Sequence, residues 1–320
     1  MRTLLLTRSD VSRNLQALTL LQDMREAFRT DALARTVAPQ RARAPLHAEG
    51  TAVVLFPGSL PGIPAYSVKV HAKFPGQSPA IQGVLQLNDL ATGDIMAVMD
   101  SGHLTAVRTG VVGALAADVL ARPDASRVAL IGAGLQSVLQ LKQLRLVRSL
   151  SHARVYDTDF ERALAFATRM YKELNLPVRV AESIAEAVED ADIVAAATWS
   201  RQAFLHPGMV RPGTHITTLG ADEPGKAEVS AELLQQSLFV CDHRGLAVST
   251  GAAGAVGLGE DAIHAELGEV IAGMKPGRTS PEQVTVFGAV GLPFQDLAAA
   301  WHVYQGAQHD EAVQGVDFGA

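Results

Sequence analysis

Hydrophobic and polar positions alternate along much of the first third of the chain. Short alternating runs such as TAVVLFPG, AYSVKVHAKF, IQGVLQLND and DIMAVMD are separated by turn signals that contain Gly and Pro. Period-two alternation between such turns predicts an antiparallel or mixed sheet built from hairpins. A short strand over residues 3–6 and a helical pattern in VSRNLQALTLLQDMREAFRT precede these runs, and a helix over 101–121 follows them.

The rhythm changes after the Pro-containing break ARPDAS. From Arg127 onward, apolar runs such as RVALIGAG, ARVYDTD, DIVAAATW and HITTLGAD alternate with helical segments such as ERALAFATRMYKEL. This alternation predicts the α/β class, with a doubly wound parallel sheet of the Rossmann type. A final helix in LPFQDLAAAWHVYQGAQ is expected to return to the first domain. The predicted division is therefore a mixed α+β domain over 1–121 and 301–320, and a Rossmann domain over 122–300.

A glycine-spaced turn stands between the first strand and the first helix of the second domain. Gly132 permits a tight turn there, and Gly134 lets the backbone approach a pyrophosphate at the helix N-terminus. The same pattern also fits a strand, turn and helix without any ligand. Ser137 replaces the usual third glycine or alanine of the motif and is small enough to keep helix and sheet close.

A carboxylate follows the glycine turn at the end of the next strand. Asp157 lies 25 residues after Gly132 and is followed by Thr158 and Asp159, with no arginine in either position. A carboxylate there accepts hydrogen bonds from the ribose hydroxyls of adenosine and repels a 2′-phosphate. The sequence thus favours NAD(H) over NADP(H), although Asp157 could also be a solvated loop acid.

Composition narrows the class of protein. The chain has 320 residues, of which 48% are hydrophobic and 19% charged, with a net charge of -6. These values are typical of a globular protein, and no basic stripe with aromatic residues points to a nucleic acid. The N-terminus MRTLLLTRSDVSRNL predicts neither a signal peptide nor a membrane span. The single cysteine, Cys241 in SLFVCD, predicts a buried strand thiol, no disulfide and no multi-cysteine metal site, and a cytoplasmic enzyme without a metal is expected.

Several stretches outside the glycine turn identify a family. They are APQRARAPL (38–46), VKVHAKFPGQ (68–77), LTAVRTG (104–110), GAGLQS (132–137), LGADEPGKAE (219–228) and VTVFGAVGLPFQDLAAA (284–300). In order and spacing, these stretches resemble the ornithine cyclodeaminase/μ-crystallin family over nearly the whole chain. The most specific element is G-x-D-x-P-G-K-x-E, which runs here from Gly220 to Glu228.

The resemblance implies an architecture and a chemistry. It implies a homodimer whose subunit joins a discontinuous substrate-binding and dimerisation domain to an NAD-binding domain, with reaction at an imine carbon that bears a carboxylate. The residues that match family positions are Arg41 and Lys69 (substrate carboxylate), Arg108 (between substrate and cofactor), Asp222 (catalytic acid/base), Lys226 (nicotinamide half), Leu135 and Gln136 (backbone contacts to the pyrophosphate) and Thr198 (nicotinamide ribose). Lys69 is the second candidate for the catalytic set.

The chemistry of these residue types agrees with the resemblance. An α-imino acid needs cations for its carboxylate, and arginine offers a bidentate fork where lysine offers a point charge. Residues 69, 71 and 73 share one face of their strand, although a solvated strand lysine is the alternative for Lys69. Asp222 follows the strand THITTLG, at the carboxyl end where open α/β sheets bind ligands. A helix N-cap is the alternative for Asp222.

Two departures from the family pattern bear on the substrate. Val54 stands where ornithine-type members have a glutamate that meets the distal amino group, and leaving that ammonium buried without a partner would cost several kcal/mol. Ornithine is therefore a poor fit. His71 and Lys73, with Arg43 nearby, could instead receive a second carboxylate, as in iminosuccinate, or could simply lie at the subunit surface. Gly288 and Ala289 replace polar residues that family members more often carry.

These observations favour one function over two others. The leading hypothesis is an NAD-dependent imine reductase, or amino-acid dehydrogenase, that transfers hydride from NADH to the Cα of an α-imino acid; iminosuccinate, giving aspartate, is one candidate. The first alternative is a cyclodeaminase that releases ammonia with no net turnover of NAD. The second is a non-enzymatic binder of a small ligand, as in μ-crystallin-like members. The presence of Arg41, Lys69, Arg108 and Asp222 together favours an enzyme.

Overall fold

The chain forms two compact units. The computed structural model describes residues 2–47, 51–74, 77, 79 and 81–318. Unit 1 comprises Met1–Thr109 with Leu292–Ala320, and unit 2 comprises Gly110–Gly291. Each unit is built on its own sheet, and the α/β class predicted from the sequence is confirmed.

The elements are numbered in chain order. The first part of unit 1 contains β1 (Arg2–Leu6), α1 (Arg8–Asn14), α2 (Ala17–Ala34), β2 (Ala42–Pro45), β3 (Ala52–Gly58), β4 (Ala65–Lys73), β5 (Ile81–Asp89) and β6 (Ile95–Asp100). Helix α3 (Ser101–Leu120) continues from unit 1 into unit 2. Unit 2 then contains β7 (Arg127–Ile131), α4 (Leu135–Val147), β8 (His152–Tyr156), α5 (Phe160–Leu174), β9 (Val178–Val180), α6 (Ile184–Val188), β10 (Ile193–Ala196), β11 (His215–Thr218), α7 (Ala231–Gln236), β12 (Leu238–Cys241), α8 (Arg244–Ser249), α9 (Ala252–Ala255), a 3₁₀ turn (Glu260–Ala262), β13 (Ala265–Glu266), α10 (Leu267–Ile271) and β14 (Thr285–Gly288). Unit 1 is completed by α11 (Pro293–Ala307) and β15 (Gln314–Asp317).

The sheet of unit 1 is mixed. Its strand order is β15-β1-β6-β5-β4-β3-β2, with β1 parallel to β6 and the other pairs antiparallel. Burial alternates along β4, so that Lys69, His71 and Lys73 all lie on its buried face. In the register, Lys69 stands beside Phe56 and Leu85. Helix α11 packs on β3, β4 and α2, and its first turns are buried.

The sheet of unit 2 is parallel throughout, in the order β13-β12-β14-β11-β10-β7-β8-β9. Strands β10, β11, β12 and β14 are buried at every position, because helices cover both faces of a doubly wound sheet. From β7 the chain builds toward β8 and β9 on one side and toward β10 and β11 on the other. The carboxyl ends of β7 and β10 are therefore the switch point at which such sheets bind ligands.

The division between the units differs from the predicted boundaries after residues 121 and 300. All of α11 belongs to unit 1 because it packs on that unit's strands, so the predicted Rossmann domain extends too far at its C-terminal end. The second half of α3 belongs to unit 2, where it lies against α4. A Cβ on Gly113 would come 2.2 Å from Oε1 of Gln140, so a larger residue there would displace the Gln140 side chain.

Burial clarifies two further features. Cys241 is a free, fully buried thiol in β12, as the sequence predicted, and burial raises its pKa well above the ordinary value.

Of the residues described, one helix, Ser101–Leu120, is long and apolar enough to cross a bilayer. However, 72% of its apolar stretch is buried in the fold, as in the core helix of a globular protein. Part of the predicted turn at 75–79 lies outside the described residues.

Candidate functional site

The glycine turn of unit 2 has the geometry that the sequence predicts for it. Gly132 adopts a φ of +94°, and a Cβ there would come 2.8 Å from the carbonyl oxygen of Ala197 in the neighbouring connection. Gly134 is the N-cap of α4, and a Cβ on it would meet no atom within 4 Å. Space is therefore open above a helix N-terminus with free N–H groups, which suits an anion. Leu135 and Gln136 form the first turn of this helix, with Leu135 exposed.

Asp157 lies immediately after β8 and is tied to the glycine turn. Its Oδ2 accepts a hydrogen bond from the backbone N of Ala133 at 2.7 Å, and its Oδ1 accepts one from the backbone N of Asp159 at 2.9 Å. The structure adds Arg162 of α5, whose Nη1 lies 3.5 Å from Oδ1 of Asp157. Neither of the two residues that follow Asp157 is an arginine, but the first turn of α5 brings Arg162 back to the carboxylate.

A cavity of about 540 Å³ opens beside these residues. Its lining includes the glycine turn, Asp157, Arg162 and Thr198, and it continues along residues 199–200 and 202–204. All of this lining belongs to unit 2 and surrounds the carboxyl ends of β7, β8 and β10. The cavity thus stands at the switch point of the parallel sheet, where a dinucleotide is expected.

Glu228 is a buried carboxylate that fixes the connections after β10 and β11. Its Oε1 accepts from the backbone N and the hydroxyl of Thr198, at 2.7 and 2.8 Å. Its Oε2 accepts from the hydroxyl of Thr218 at 2.6 Å and from the backbone N of Gly220 at 2.9 Å. Burial raises the pKa of Glu228 although these hydrogen bonds act against that shift. The last residue of the G-x-D-x-P-G-K-x-E motif is therefore structural, and it positions Thr198.

Asp222 follows β11 and is paired with a lysine of the same motif. Nζ of Lys226 lies 3.0 Å from Oδ1 of Asp222 and 4.0 Å from the ring centroid of Trp199, so the lysine is held by an ion pair and a cation–π contact. Lys226 is buried, whereas the Asp222 side chain is 29% exposed. The carboxylate can therefore be reached by a ligand.

A second polar cluster lies in unit 1, at the start of α11. Lys69, which is 1% exposed, places Nζ 2.5 Å from Oδ2 of Asp296. Nε of Arg108 donates to Oδ1 of the same carboxylate at 2.8 Å, and Nη1 of Arg108 donates to Oε1 of Gln295 at 2.8 Å. One buried carboxylate thus lies between two cations, so the cluster has a surplus of positive charge that suits an anionic ligand.

Arg41 reaches the same cluster through an aromatic ring. Its Cζ lies 5.0 Å from the ring centroid of Phe56, and Nζ of Lys69 lies 4.1 Å from that centroid. Phe56 and Lys69 are register partners on β3 and β4, which explains the contact. The structure therefore brings Arg41, Lys69 and Arg108 together within unit 1. Arg43, in the exposed edge strand β2, is exposed.

Burial changes the protonation of the cluster. It lowers the pKa of Lys69 to about 7, with Asp296 opposing the shift and Arg108 adding to it. Burial also lowers the pKa of His71 to about 3, to which Lys69 contributes. Although burial acts to raise the pKa of Asp296, the charges of Arg108 and Lys69 outweigh it and hold that pKa below its ordinary value. At neutral pH, His71 is an uncharged ring.

The departures from the family pattern have structural counterparts. Val54 is buried and is the register partner of His71. The His71 ring lies over Gly83, where a Cβ would come 3.0 Å from the ring carbon Cδ2. Lys73 is also buried. Within a single subunit, His71 and Lys73 are therefore not surface residues, and that alternative is wrong. A Cβ on Gly288 would come 3.1 Å from Cε2 of Phe239, so that ring limits any larger residue at the end of β14.

Three residues of the two clusters, Asp296, Gln295 and Arg162, are not predicted as site residues by the sequence. A Gln-Asp pair at the start of the apolar helix in LPFQDLAAA places polar groups where burial is expected, but this signal does not identify Arg108 as their partner. Arg162 lies beyond Thr158 and Asp159, the two residues that follow Asp157. Among the described residues, no group of three or more His, Cys, Asp or Glu side chains could hold a metal.

The parallel sheet, its open glycine turn and the second sheet define a two-domain protein of the Rossmann type. The chain belongs to the ornithine cyclodeaminase/mu-crystallin family, which residues 1–311 match. The resemblance inferred from the sequence motifs is thereby confirmed.

Individual relatives match the chain over nearly its full length. It is 34% identical over 326 residues to an alanine dehydrogenase of Archaeoglobus fulgidus, covering 96% of each chain. The structure is similar to that of Thermococcus litoralis Delta(1)-pyrroline-2-carboxylate reductase in complex with NADH and L-proline, with a TM-score of 0.92 and 30% identity over 98% of this chain and 100% of the other. It is also similar to the iminosuccinate reductase of Paracoccus denitrificans in complex with NAD⁺, with a TM-score of 0.90 and 26% identity over 99% and 100%.

Proposed function

We propose that this protein is an NAD(H)-dependent oxidoreductase that reduces the C=N bond of an α-imino acid to the amine and catalyses the reverse oxidation of an amino acid. The observation that carries the proposal is the cationic cluster in which Lys69 and Arg108 share the Asp296 carboxylate. Arg41 lies over the Phe56 ring that Lys69 also contacts, so positive charge is left for the substrate carboxylate. The relatives support it, because an alanine dehydrogenase, a pyrroline-2-carboxylate reductase and an iminosuccinate reductase all act on such substrates.

The residues of unit 2 fit the cofactor. The open space above Gly134 and the free N–H groups of α4 suit the pyrophosphate, with Leu135 and Gln136 as backbone contacts. The Asp157 carboxylate suits the ribose hydroxyls of adenosine, and Thr198 and Lys226 are assigned to the nicotinamide half. When bound, NADH supplies the hydride that adds to the imine carbon.

The residues of the chain itself then have distinct tasks. Arg41, Lys69 and Arg108 bind the substrate carboxylate and so fix the imine carbon. Asp222 holds the proton that the imine nitrogen requires, since addition of hydride to Cα must be matched by protonation of nitrogen. Its partly exposed carboxylate and its pairing with Lys226 are consistent with this task. Lys69, with a pKa of about 7, is the alternative proton donor.

For the identity of the imino acid, we propose iminosuccinate as one candidate. Arg43, His71 and Lys73 share the sheet face that carries Lys69, and the iminosuccinate reductase of Paracoccus denitrificans is a structural relative. Because the pKa of His71 is about 3, its imidazole is neutral at neutral pH. It would therefore donate a hydrogen bond to the second carboxylate but supply no positive charge. Small apolar imino acids, whose side chain would face Val54, are the competing class.

A panel of substrates tests the proposal. The protein would be mixed with NADH and with pyruvate plus ammonia, oxaloacetate plus ammonia, or a cyclic α-imino acid, and loss of NADH absorbance would be followed. The proposal expects loss with at least one of these imines and none without ammonia for the keto acids. If no imine oxidises NADH while ornithine with NAD⁺ yields ammonia without net NADH, the protein is a cyclodeaminase. Tight ligand binding with neither reaction would identify a non-enzymatic binder.

We also propose a homodimer and a cytoplasmic location. The sheet face of unit 1 opposite Lys69 carries apolar residues in register, including Leu55 at 38% and Val84 at 48% exposure, with Val70 between them. An apolar sheet face of this kind suits a second copy of the chain, and a solved relative is an alanine dehydrogenase dimer. Light scattering on the wild type and on Val84→Lys tests the dimer: a monomeric wild type would contradict it.

The single cysteine, buried as a free thiol, is consistent with a reducing compartment.

A further inference from the structure

Gln295, in the first turn of α11, is buried completely in unit 1. Its side chain is 0% exposed, and its neighbour Asp296 is the carboxylate between Lys69 and Arg108. A glutamine amide carries an acceptor and two donors, so its orientation decides what it offers to its surroundings.

The contact with Arg108 fixes that orientation. A guanidinium can only donate, so the amide atom 2.8 Å from Nη1 of Arg108 must be the carbonyl oxygen Oε1. Nε2 of Gln295 is consequently the other atom of the amide plane, and it can only donate. Rotation of the amide by half a turn would place two donors against each other and is excluded.

Nε2 has no hydrogen-bond acceptor among the described residues. A buried donor without an acceptor is costly, and native proteins leave few of them unless a ligand or an ordered water completes the bond. This donor belongs to the side chain that holds Arg108, one residue from the carboxylate that holds Lys69. A ligand of the same cationic cluster with an acceptor oxygen would complete the hydrogen bond of Nε2.

We propose that Gln295 is a further substrate-binding residue, whose Nε2 donates a hydrogen bond to an oxygen of the substrate carboxylate. This inference rests on the proposed function and adds to it a neutral donor beside the three cations. Since Oε1 is held by Arg108, the donor is oriented before substrate arrives. Its binding energy is therefore not reduced by ordering of the side chain.

The test separates donation to substrate from orientation of Arg108. Gln295→Glu keeps an oxygen acceptor for Arg108 but replaces the donor by a second acceptor that repels a carboxylate. KM for the imino acid should rise roughly ten- to a hundredfold at saturating NADH, with kcat changed far less, since a ground-state contact is lost. Gln305→Glu, on the exposed side of the same helix, is the matched control and should have wild-type constants.

Each outcome decides the matter. A wild-type KM in Gln295→Glu would overturn the inference, because it would mean that Gln295 only orients Arg108 or binds a buried water. If Gln295→Glu fails to fold, as judged by loss of NADH binding, Gln295→Met is measured instead, and an unchanged KM there also overturns the inference. Failure of the proposed function is distinguishable, since none of the imines tested would then cause the wild type to oxidise NADH.

Discussion

Asp296 places Oδ2 2.5 Å from Nζ of Lys69, so the lysine that the sequence offers to a substrate carboxylate already has a buried carboxylate as its partner. The same Asp296 accepts from Nε of Arg108 at 2.8 Å. The two cations therefore share one counter-charge within the chain, and in the proposed function the substrate carboxylate supplies a second. This relationship accounts for how two cationic side chains are tolerated in a dry interior before substrate binds.

Replacing Asp296 by Asn should destabilise the free protein and increase its response to anionic ligands. The variant leaves Lys69 and Arg108 without their shared charge, and breaking a buried ion pair costs about 3–5 kcal/mol. A carboxylate ligand then supplies the missing counter-charge. We expect a lower Tm without ligand, and a larger rise in Tm on addition of the product amino acid than the wild type gives.

The matched control for that experiment is Asp94→Asn, an exposed aspartate of the same unit. It should change neither the Tm nor the response to ligand, since exposed charges contribute little. Equal ligand-induced shifts in Asp296→Asn and the wild type would contradict the role given to Asp296.

Replacing Asp157 by Ala should narrow the preference for NADH over NADPH. The variant removes the charge that repels a 2′-phosphate, and it leaves Arg162, now 3.5 Å from Asp157, available to a phosphate. It also removes the acceptor for the Ala133 N–H, so NADH binding should weaken by about 1.5–3 kcal/mol. Cofactor Kd values measured by fluorescence check both effects.

The double variant Asp157→Ala with Arg162→Ala is the companion measurement. It should lose the NADPH binding gained in the single variant, because no cation then remains in that place for the phosphate. If the wild type used NADPH and NADH equally well, the role assigned to Asp157 would be contradicted.

Replacing Asp222 by Asn should lower turnover by roughly 10²–10⁴ while NADH affinity changes little. The amide keeps the size of the side chain but cannot exchange a proton with the imine nitrogen. Steady-state kinetics with cofactor titration check both quantities, and Glu223→Gln at the next position is the control. Normal turnover would indicate that Lys69, whose pKa is about 7, donates the proton instead. Loss of NADH binding would indicate that Asp222 has a structural role.

Stability should fall as the pH is lowered from about 6.5 toward 3, in part through His215. Burial, with the charges of Arg278 and Arg148, lowers the pKa of His215 to about 3, and its ring nitrogens contact the hydroxyls of Thr285 and Thr217. Within this window the unfolded chain binds a proton that the native chain does not. The free energy of unfolding therefore loses up to about 1.4 kcal/mol per pH unit from this residue.

The variant His215→Asn keeps a polar side chain without the titrating ring, so urea unfolding across this window should depend less steeply on pH than in the wild type. His309→Asn, which replaces an exposed histidine, is the control and should keep the wild-type slope. If the free energy of unfolding depended equally steeply on pH in His215→Asn and the wild type, His215 would not contribute to the loss of stability.

The sequence predicted the fold well where periodicity was strong. Alternation in AYSVKVHAKF gave the buried face that carries Lys69 and His71, and the apolar runs of unit 2 gave its parallel strands. It did not predict the edge strands β2 and β15, because both are exposed on all four residues and have no apolar pattern. The helical stretch near the N-terminus is two helices. Thr7 and Asp10 form a capping box at the start of the short first helix, which ends before Leu15, and the second helix begins at Ala17.

The candidate site was predictable only in part. Glycine spacing and the terminal Asp157 are local signals, so the nucleotide-binding turn follows from about 30 residues of sequence. The partners of Lys69 and Arg108 lie near residue 296, and no local pattern relates residues so distant in the chain. The protonation of His71 depends on burial among distant strands, so its low pKa required the structure.

The fate of the hydride tests the central claim most directly. The protein would be incubated with NADH deuterated at both C4 positions and with the best imine of the panel, and the amino acid formed would be analysed by mass spectrometry and NMR. The account predicts one deuterium at Cα for each NADH consumed, in a one-to-one ratio. An amino acid without deuterium at Cα, or product formed while NADH remains unconsumed, would contradict it.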